Sequence, residues 1–251
     1  MQESERQFFA ANGFVKLGQA LQGEDLARWQ EIFDADRREY GYFWHRYGHH
    51  QEANYEALIT SPAIDGLIRH PEIYPTIEAL MGGPLCFGEI GLRSMGPYDG
   101  ELHHGWHRDR PHWPEHPLRM DYIQLMVYLS DVDEGTHCFS ISPEAVGDEI
   151  LKDNGAQIER GGVYDLHGPA GTVALFNVAV LHTATTRPTQ QTRKTVQIYY
   201  GHRDRAPLAN DSSIPAAFSR DHPDAETRAF YGVPNERTRL YMAAFPPGRQ
   251  E

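Results

Sequence analysis

Three stretches of this chain alternate, residue by residue, between an apolar face and one that carries polar and charged groups. In YIQLMVYL, residues 122–129, Ile123, Leu125, Val127 and Leu129 form the apolar face, while Tyr122, Gln124, Met126 and Tyr128 form a mixed one. In RKTVQIYY, Arg193, Thr195, Gln197 and Tyr199 oppose Val196, Ile198 and Tyr200. In EIGLRSM, Glu89, Arg93 and Met95 oppose Ile90, Leu92 and Ser94. A period of two is the signature of β-strands, because successive side chains point to opposite faces. The apolar faces suit packing under helices. The mixed faces fit two readings, the polar lumen of a barrel or a surface that meets solvent, and parity alone does not choose between them.

The flanking text supplies the rest of the architecture. SERQFFAANGFVKL reads as a short helix, a turn at Asn12-Gly13 and a strand through Phe14–Leu17. From Gly23 to about Tyr40, Leu26, Trp29, Ile32 and Phe33 recur at helical spacing. Two short helices follow, with Ser61 and Pro71 near their starts. After Gly83 the chain becomes a series of short β-type runs, at about 85–96, 120–130, 137–142, 172–178 and 194–202. The expected fold is mainly β with flanking helices. Its parts are N-terminal helices over about 1–83, an antiparallel jelly-roll core over about 84–202, and a covering segment over about 203–251. The 251 residues fit one such domain.

A formal charge of −12 disfavours nucleic acid and anionic membrane as general partners, since both reward Lys and Arg. No apolar run is long enough to span a bilayer, and MQESERQFF lacks the pattern of a secretory signal. Cys86 and Cys138 form no CxxC pair, so no thiolate zinc site is expected. These features read as a soluble, cytoplasmic protein acting on a small molecule.

One constellation carries chemistry. In GWHRDRPHW, residues 105–113, His107 stands two before Asp109, so both can leave an extended chain on one side. With 14 His and 16 Asp the tripeptide is expected roughly once by chance, and it occurs three times, at 107/109, 202/204 and 222/224. The context selects the first. A facial site of two His and one carboxylate, suited to non-haem Fe(II) and oxygen, needs a further His from another strand. His182 follows the buried-looking run GTVALFNVAVL, and eleven residues on comes Arg193, on the polar face already identified. Its planar guanidinium suits the far carboxylate of a dicarboxylate. The other two tripeptides have no such partner.

WHRDRPHW, IQLMVYLSDVDEGTHCFSISP, GTVALFNVAVLH and Arg193 together resemble the phytanoyl-CoA dioxygenase superfamily, which includes ectoine hydroxylase. FFAANGFVKLGQALQGEDLARW is similar to the usual opening of that family, so the resemblance spans roughly residues 5–202. It implies a double-stranded β-helix (cupin-like) core and an oxygenase using Fe(II), 2-oxoglutarate and O2. It implies iron ligation by His107, Asp109 and His182, and cosubstrate binding by Arg193 with Thr195. Asp109 occupies the position that related halogenases keep small for chloride, which implies hydroxylation with succinate and CO2 as coproducts. Trp113 resembles an aromatic residue beside the ectoine hydroxylase site. The chain departs from the family at SISPEAVGD, where Pro-Gly-Ser-His is usual, and at Ala184, where Ser or Gly is common.

The remaining candidates carry bland readings beside the functional ones. Gln124 faces the expected lumen as a 2-oxoglutarate contact or as a structural amide. Arg93 meets an anionic substrate group or pairs with Glu89. Trp113 and His104 line a substrate pocket or pack in rim and loop. HRYGHH, residues 45–50, reads as a solvated loop, at most part of a lid. Two rival functions stand: the same iron site leading to desaturation, epimerisation or ring formation, and a non-redox cupin-like metal-binding protein, which has no need of Arg193.

Overall fold

The computed structural model describes residues 1–207 and 211–244. Helix α1 (Glu3–Asn12) ends at Gly13, whose φ of 75° and N–H bond to Phe9 O stop the helix. A side chain at this position would also meet Val180, at 2.4 Å from its Cβ. Strand β1 (Phe14–Gln19) leads to α2 (Gly23–Glu39), then to the hairpin β2 (His45–Tyr47) and β3 (Gln51–Asn54). Short helices α3 (Ala57–Thr60), α4 (Asp65–Ile68) and α5 (Tyr74–Met81) precede the longest strand, β4 (Leu85–Met95). Then come β5 (Tyr122–Tyr128), β6 (Cys138–Ile141), α6 (Asn154–Gly161), β7 (Tyr164–Leu166), β8 (Thr172–Asn177), β9 (His182–Thr185) and β10 (Arg193–His202). Helices α7 (Ala216–Ser219), α8 (Ala225–Phe230) and α9 (Glu236–Ala244) close the described chain.

The strands form two antiparallel sheets, a large one ordered β1-β8-β5-β10-β4-β3-β2 and a small one ordered β7-β6-β9. The alternation in the sequence maps onto them directly. Ile123, Leu125, Val127, Val196, Ile198, Ile90 and Leu92 share one apolar cluster with Trp29 and Phe33 of α2 and Ile77 and Leu80 of α5. Each such fully buried side chain contributes about 1.5–3 kcal/mol, which fixes the register, since a slip of one residue would turn the whole face over. The opposite face looks toward the small sheet, where Tyr122, Met126 and Tyr128 pack with Phe139, Ile141 and Phe176. Glu89, Arg93, Gln124, Arg193, Thr195 and Gln197 are all buried on this side. The mixed faces are therefore a lumen and not a solvent face.

Three expectations need correction. The first 83 residues hold more strand than the one expected through Phe14–Leu17: that strand, β1, adds to one edge of the large sheet, and a further pair, β3 with β2, extends the other through β4. Strand β2 is exposed along its length and has no apolar alternation to announce it. Strands β7 and β9 also escape the pattern, being three and four residues long and, in β9, built of HTAT. The expected helix near Ser61 is a single 3-10 turn, Pro62–Ile64, running into α4, and α3 lies ahead of it.

The C-terminal segment covers the helical side. Ile214, Phe230 and Tyr231 join the apolar cluster, and the Tyr231 hydroxyl donates to Asp65 at 2.6 Å. Residues 208–210 and 245–251 of that segment lie outside the described residues.

Candidate active site

The stretch 103–109 runs beside β9 and the turn before it. His107 and His182 exchange backbone N–H···O bonds at 3.0 Å each, and the Asp109 N–H donates to Val178 O at 3.0 Å. This pairing brings residues 75 positions apart in sequence into one cluster: ligand atoms of His107, Asp109 and His182 all lie within 4.8 Å of one another. The Nε2 atoms of His107 and His182 stand 3.4 and 3.6 Å from Asp109 Oδ1. Each imidazole points its Nδ1 at a backbone carbonyl, His107 at Gly105 O (2.7 Å) and His182 at Val180 O (2.8 Å). A carbonyl only accepts, so Nδ1 carries the hydrogen and Nε2 is left as a lone pair. Tyr199 donates to the other Asp109 oxygen at 3.1 Å, which fixes the carboxylate.

The electrostatics fit a metal. Burial alone would raise the Asp109 carboxyl, but His182 and His107 outweigh it and hold it well below the usual range. Asp109 in turn raises His107, against the burial that lowers it. Phe139 and Phe176 pack on the ring of His182 at 5.4 and 5.0 Å between centroids, a dry wall on that side. Two imidazole nitrogens and one carboxylate oxygen are a donor set suited to Fe(II) with open positions.

Deeper in the lumen lies a charge without a protein partner. Arg193 is only 1% exposed, and none of its three guanidinium nitrogens meets an acceptor among the described residues. The hydroxyl of Thr195, on the same face of β10, is likewise buried and unpartnered. Burial lowers the Arg193 pKa from its ordinary value. An isolated buried cation is costly, so such an arrangement is the mark of a site made for an anion. Gln124 sits on the cavity wall and donates its Nε2 to Gln197 Oε1 at 2.7 Å.

The cavity holding His107, Asp109 and His182 is also lined by Arg93, Gln124, Ala184 and Tyr199. Arg93 forms no ion pair with Glu89; its guanidinium lies over the rings of Tyr47 and Tyr55, 4.9 and 5.4 Å from their centroids. Glu89 is buried with one carboxylate oxygen unpartnered, and burial pushes its pKa up to about 8. The expected substrate contacts Trp113 and His104 stand elsewhere. Trp113 stacks on His116 and packs on His202, under the guanidinium of Arg205 at 4.0 Å, and His104 stacks on Trp106. Neither lines the cavity. The backbone bends at Asp109 and Arg110, so alternation counted onward from the tripeptide no longer says which way Trp113 points.

Several contributors escaped the sequence reading. HRYGHH is largely exposed, as expected of a solvated loop, yet its turn lies over the cluster, with His49 stacked on His107 at 5.8 Å and lining the cavity. His49 and His50 adopt φ of 59° and 56°, a left-handed pair that aims the turn inward. The only sequence signal was the density of His itself. The unusual Glu144 has a structural use, since it is buried and accepts from Arg108 at 2.7 Å, tying the loop after β6 to the His-x-Asp stretch. His202 is buried against Trp113 and His116, and Asp224 caps α8, so the other two tripeptides serve structure. Cys138, Asp165 and His167 also converge, but Arg187 donates to both Asp165 and Cys138, and a guanidinium there opposes a cation. No helix among the described residues is long and apolar enough to cross a membrane.

A jelly-roll lumen with a two-His-one-carboxylate cluster at its mouth and an unpaired arginine within defines a class, the non-haem iron oxygenases that use a 2-oxoacid. Comparison with known proteins agrees. The chain belongs to the phytanoyl-CoA dioxygenase family, whose model matches residues 9–195. It is a 2-oxoglutarate-dependent dioxygenase, with Fe(II), 2-oxoglutarate and O2 as its cofactors. Among curated relatives, an L-proline trans-4-hydroxylase from Streptomyces griseoviridis is 24% identical over 186 residues, 62% of this chain and 68% of the relative. Among solved structures, the iron-bound EctD of S. alaskensis is similar with a TM-score of 0.70 at 17% identity, covering 91% of this chain and 86% of that one. A carbocyclase from nogalamycin biosynthesis, SnoK, is similar with a TM-score of 0.67 at 17% identity, over 81% and 85% of the two chains.

Proposed function

We propose that this protein hydroxylates a small-molecule metabolite at an unactivated C–H bond, with His107, Asp109 and His182 holding Fe(II) and Arg193 holding the far carboxylate of 2-oxoglutarate. The observation that carries the reading is the buried guanidinium of Arg193, unpaired among the described residues and on the same face of β10 as Gln197 and Tyr199, which line the cavity of the ligand cluster. A metal-binding barrel without a dicarboxylate ligand has no use for that charge. When bound, iron and 2-oxoglutarate together supply the oxidising power, consuming O2 and releasing succinate and CO2.

The chain's own residues do the rest. Gly105 O and Val180 O keep both imidazoles in the ligating tautomer, and Tyr199 keeps Asp109 turned toward them. Arg193 offers two parallel charge-assisted hydrogen bonds to a carboxylate, and Thr195 offers a hydroxyl beside it. Gln124, already paired with Gln197, presents a fixed amide to the cavity. Phe139 and Phe176 exclude water from the His182 side. Asp109 fills the position at which halide would be admitted, which favours hydroxylation over halogenation.

The test is anaerobic reconstitution with Fe(II) and 2-oxoglutarate, then air, with a screen of small metabolites and L-proline as the first of them. Succinate should form with a product that has gained one oxygen atom. A product that has lost two hydrogens, or kept its mass with inverted configuration, would assign desaturation or epimerisation to the same site. Absence of 2-oxoglutarate binding to the metal-loaded protein would refute the reading altogether.

A further inference from the structure

We infer that the substrate carries a carboxylate, and that Arg93 receives it. This rests on the oxygenase reading above and assigns it a substrate class. Arg93 reaches the lumen from β4, level with Thr195 across the strand pair, and lines the cavity that holds the ligand cluster. It is 8% exposed, has no hydrogen bond or ion pair with any described residue, and its Nε is buried and unpartnered. Tyr47 and Tyr55 supply flat aromatic surface and no negative charge to it. Glu89, the nearest acid on its own strand, lies beyond ion-pair distance.

Two guanidiniums in one lumen call for two different anions. Their surroundings differ, though the two repel each other: beyond burial, which weighs most on both, the groups that act on Arg193 are Tyr128, Cys138 and Arg93 itself, whereas those acting on Arg93 are Tyr55, Tyr199, Tyr47 and Glu89. 2-Oxoglutarate has two carboxylates, and on the proposed reading one lies on Arg193 and the other on the metal. The charges then leave one positive unit over. Setting aside Glu89, which burial pushes toward its neutral form and which makes no ion pair with Arg93, a divalent metal and two guanidiniums oppose one carboxylate from Asp109 and two from the cosubstrate. A desolvated cation left unmatched is costly, and one monoanionic group on the substrate removes the cost. A planar carboxylate suits a single guanidinium between aromatic walls; a phosphate dianion would call for a second cation, which no described residue of the cavity wall supplies beyond imidazoles.

The test is calorimetric binding to the Mn(II)-loaded protein under argon, with N-oxalylglycine in the cosubstrate position. The probes are linear and cyclic monocarboxylates of four to six carbons, with and without a 2-amino group, each matched to its own primary amide. The best carboxylate should bind about 10- to 100-fold more tightly than its amide, the span expected of a hydrogen bond to a charged group in a buried site. Arg93→Gln should collapse that preference to under about threefold, and Arg93→Lys should keep part of it. Affinity for 2-oxoglutarate, measured without a probe present, should stay within about threefold of the parent in both variants. Amides binding as well as acids across the panel in the parent protein would overturn the inference whether or not the variants fold. So would an Arg93→Gln loss of 2-oxoglutarate affinity as large as its loss of probe affinity, which would place Arg93 on the cosubstrate. If the parent binds Mn(II) but not 2-oxoglutarate, the oxygenase reading itself fails and this inference goes with it.

Discussion

Replacing Arg193 by Met should make the free protein more stable and the enzyme useless, and the two effects have separate magnitudes. Arg193 is 1% exposed and all three of its nitrogens lack an acceptor among the described residues. Exchanging a buried, poorly matched ion for an apolar side chain of similar length typically stabilises by about 1–4 kcal/mol. In a chain of this size each kcal/mol moves Tm by about 2–4 °C, so a rise of several degrees is expected without ligand. Removing a charged partner from a desolvated pair costs about 2–5 kcal/mol, so 2-oxoglutarate should bind roughly 30- to 3,000-fold more weakly. Metal affinity should hardly change, because no ligand to the metal is touched. Differential scanning fluorimetry of the metal-free protein and calorimetry of 2-oxoglutarate into the Mn(II)-loaded protein measure the two quantities independently. An Arg193→Met protein that is no more stable and binds 2-oxoglutarate as tightly as the parent would show that the guanidinium is neither strained by burial nor the clamp.

Tyr199→Phe deletes the hydroxyl that holds Asp109 and should lower metal affinity by ~10- to 100-fold in an Mn(II) titration, with the fold intact by circular dichroism. Glu89 has a pKa near 8 in the folded protein against an ordinary 4.5, so the folded state keeps a proton that the unfolded chain gives up. That contribution is complete below the unfolded value and is lost as pH rises through about 8, a loss of up to about 5 kcal/mol; Glu89→Gln should flatten the fall in Tm between pH 6 and 9, and an unchanged slope would refute it. Arg108→Met takes from Glu144, whose side chain is 1% exposed, its hydrogen-bonded partner and leaves His112 and Arg160 at 3.6 and 3.9 Å, so it should cost about 2 kcal/mol, a drop in Tm of roughly 4–8 °C. Turnover in high chloride should give an oxygenated product and no chlorinated one, read by mass and isotope pattern, because on the proposed reading Asp109 takes the position halide would need.

The central strands were legible because both of their faces are buried and chemically different. Helices cover Ile123, Leu125 and Val196, and the lumen demands polar groups at Gln124, Thr195 and Gln197. That His107, and not His202, would meet His182 was legible for a related reason, since only one tripeptide had a later His leading toward a strand with an arginine on its polar face. What the sequence hid depends on contacts between distant segments. Nothing in residues 45–50 tells that their turn folds over His107, 58 positions after His49, because β2 is exposed and pairs only with β3. Glu144 looked like a mere departure from the family until its partner Arg108, 36 residues earlier, was in view. Of the two roles open to Trp113, pocket wall by resemblance or rim packing, the structure places it in packing against His116, His202 and Arg205, because the chain bends at Asp109 and Arg110.

The position of the β2–β3 hairpin separates two things that an enzyme must inherit. The hairpin hangs on the large sheet through a single neighbour, β4, while the proposed iron and cosubstrate residues stand on β5, β9, β10 and the stretch beside β9. Its turn can be lengthened, shortened or exchanged without disturbing any pairing of β10 with β4 or β5. The roof over the reacting centre is thus held by fewer ties than the floor beneath it, the turn adding hydrogen bonds from His50 Nε2 to Pro97 O and from Thr186 Oγ1 to His49 O. On the proposed reading, variation in residues 46–51 would change what lies over the cavity without altering a strand that carries a metal or cosubstrate residue, with His49, stacked on His107, the position that ties the stretch to the ligand cluster.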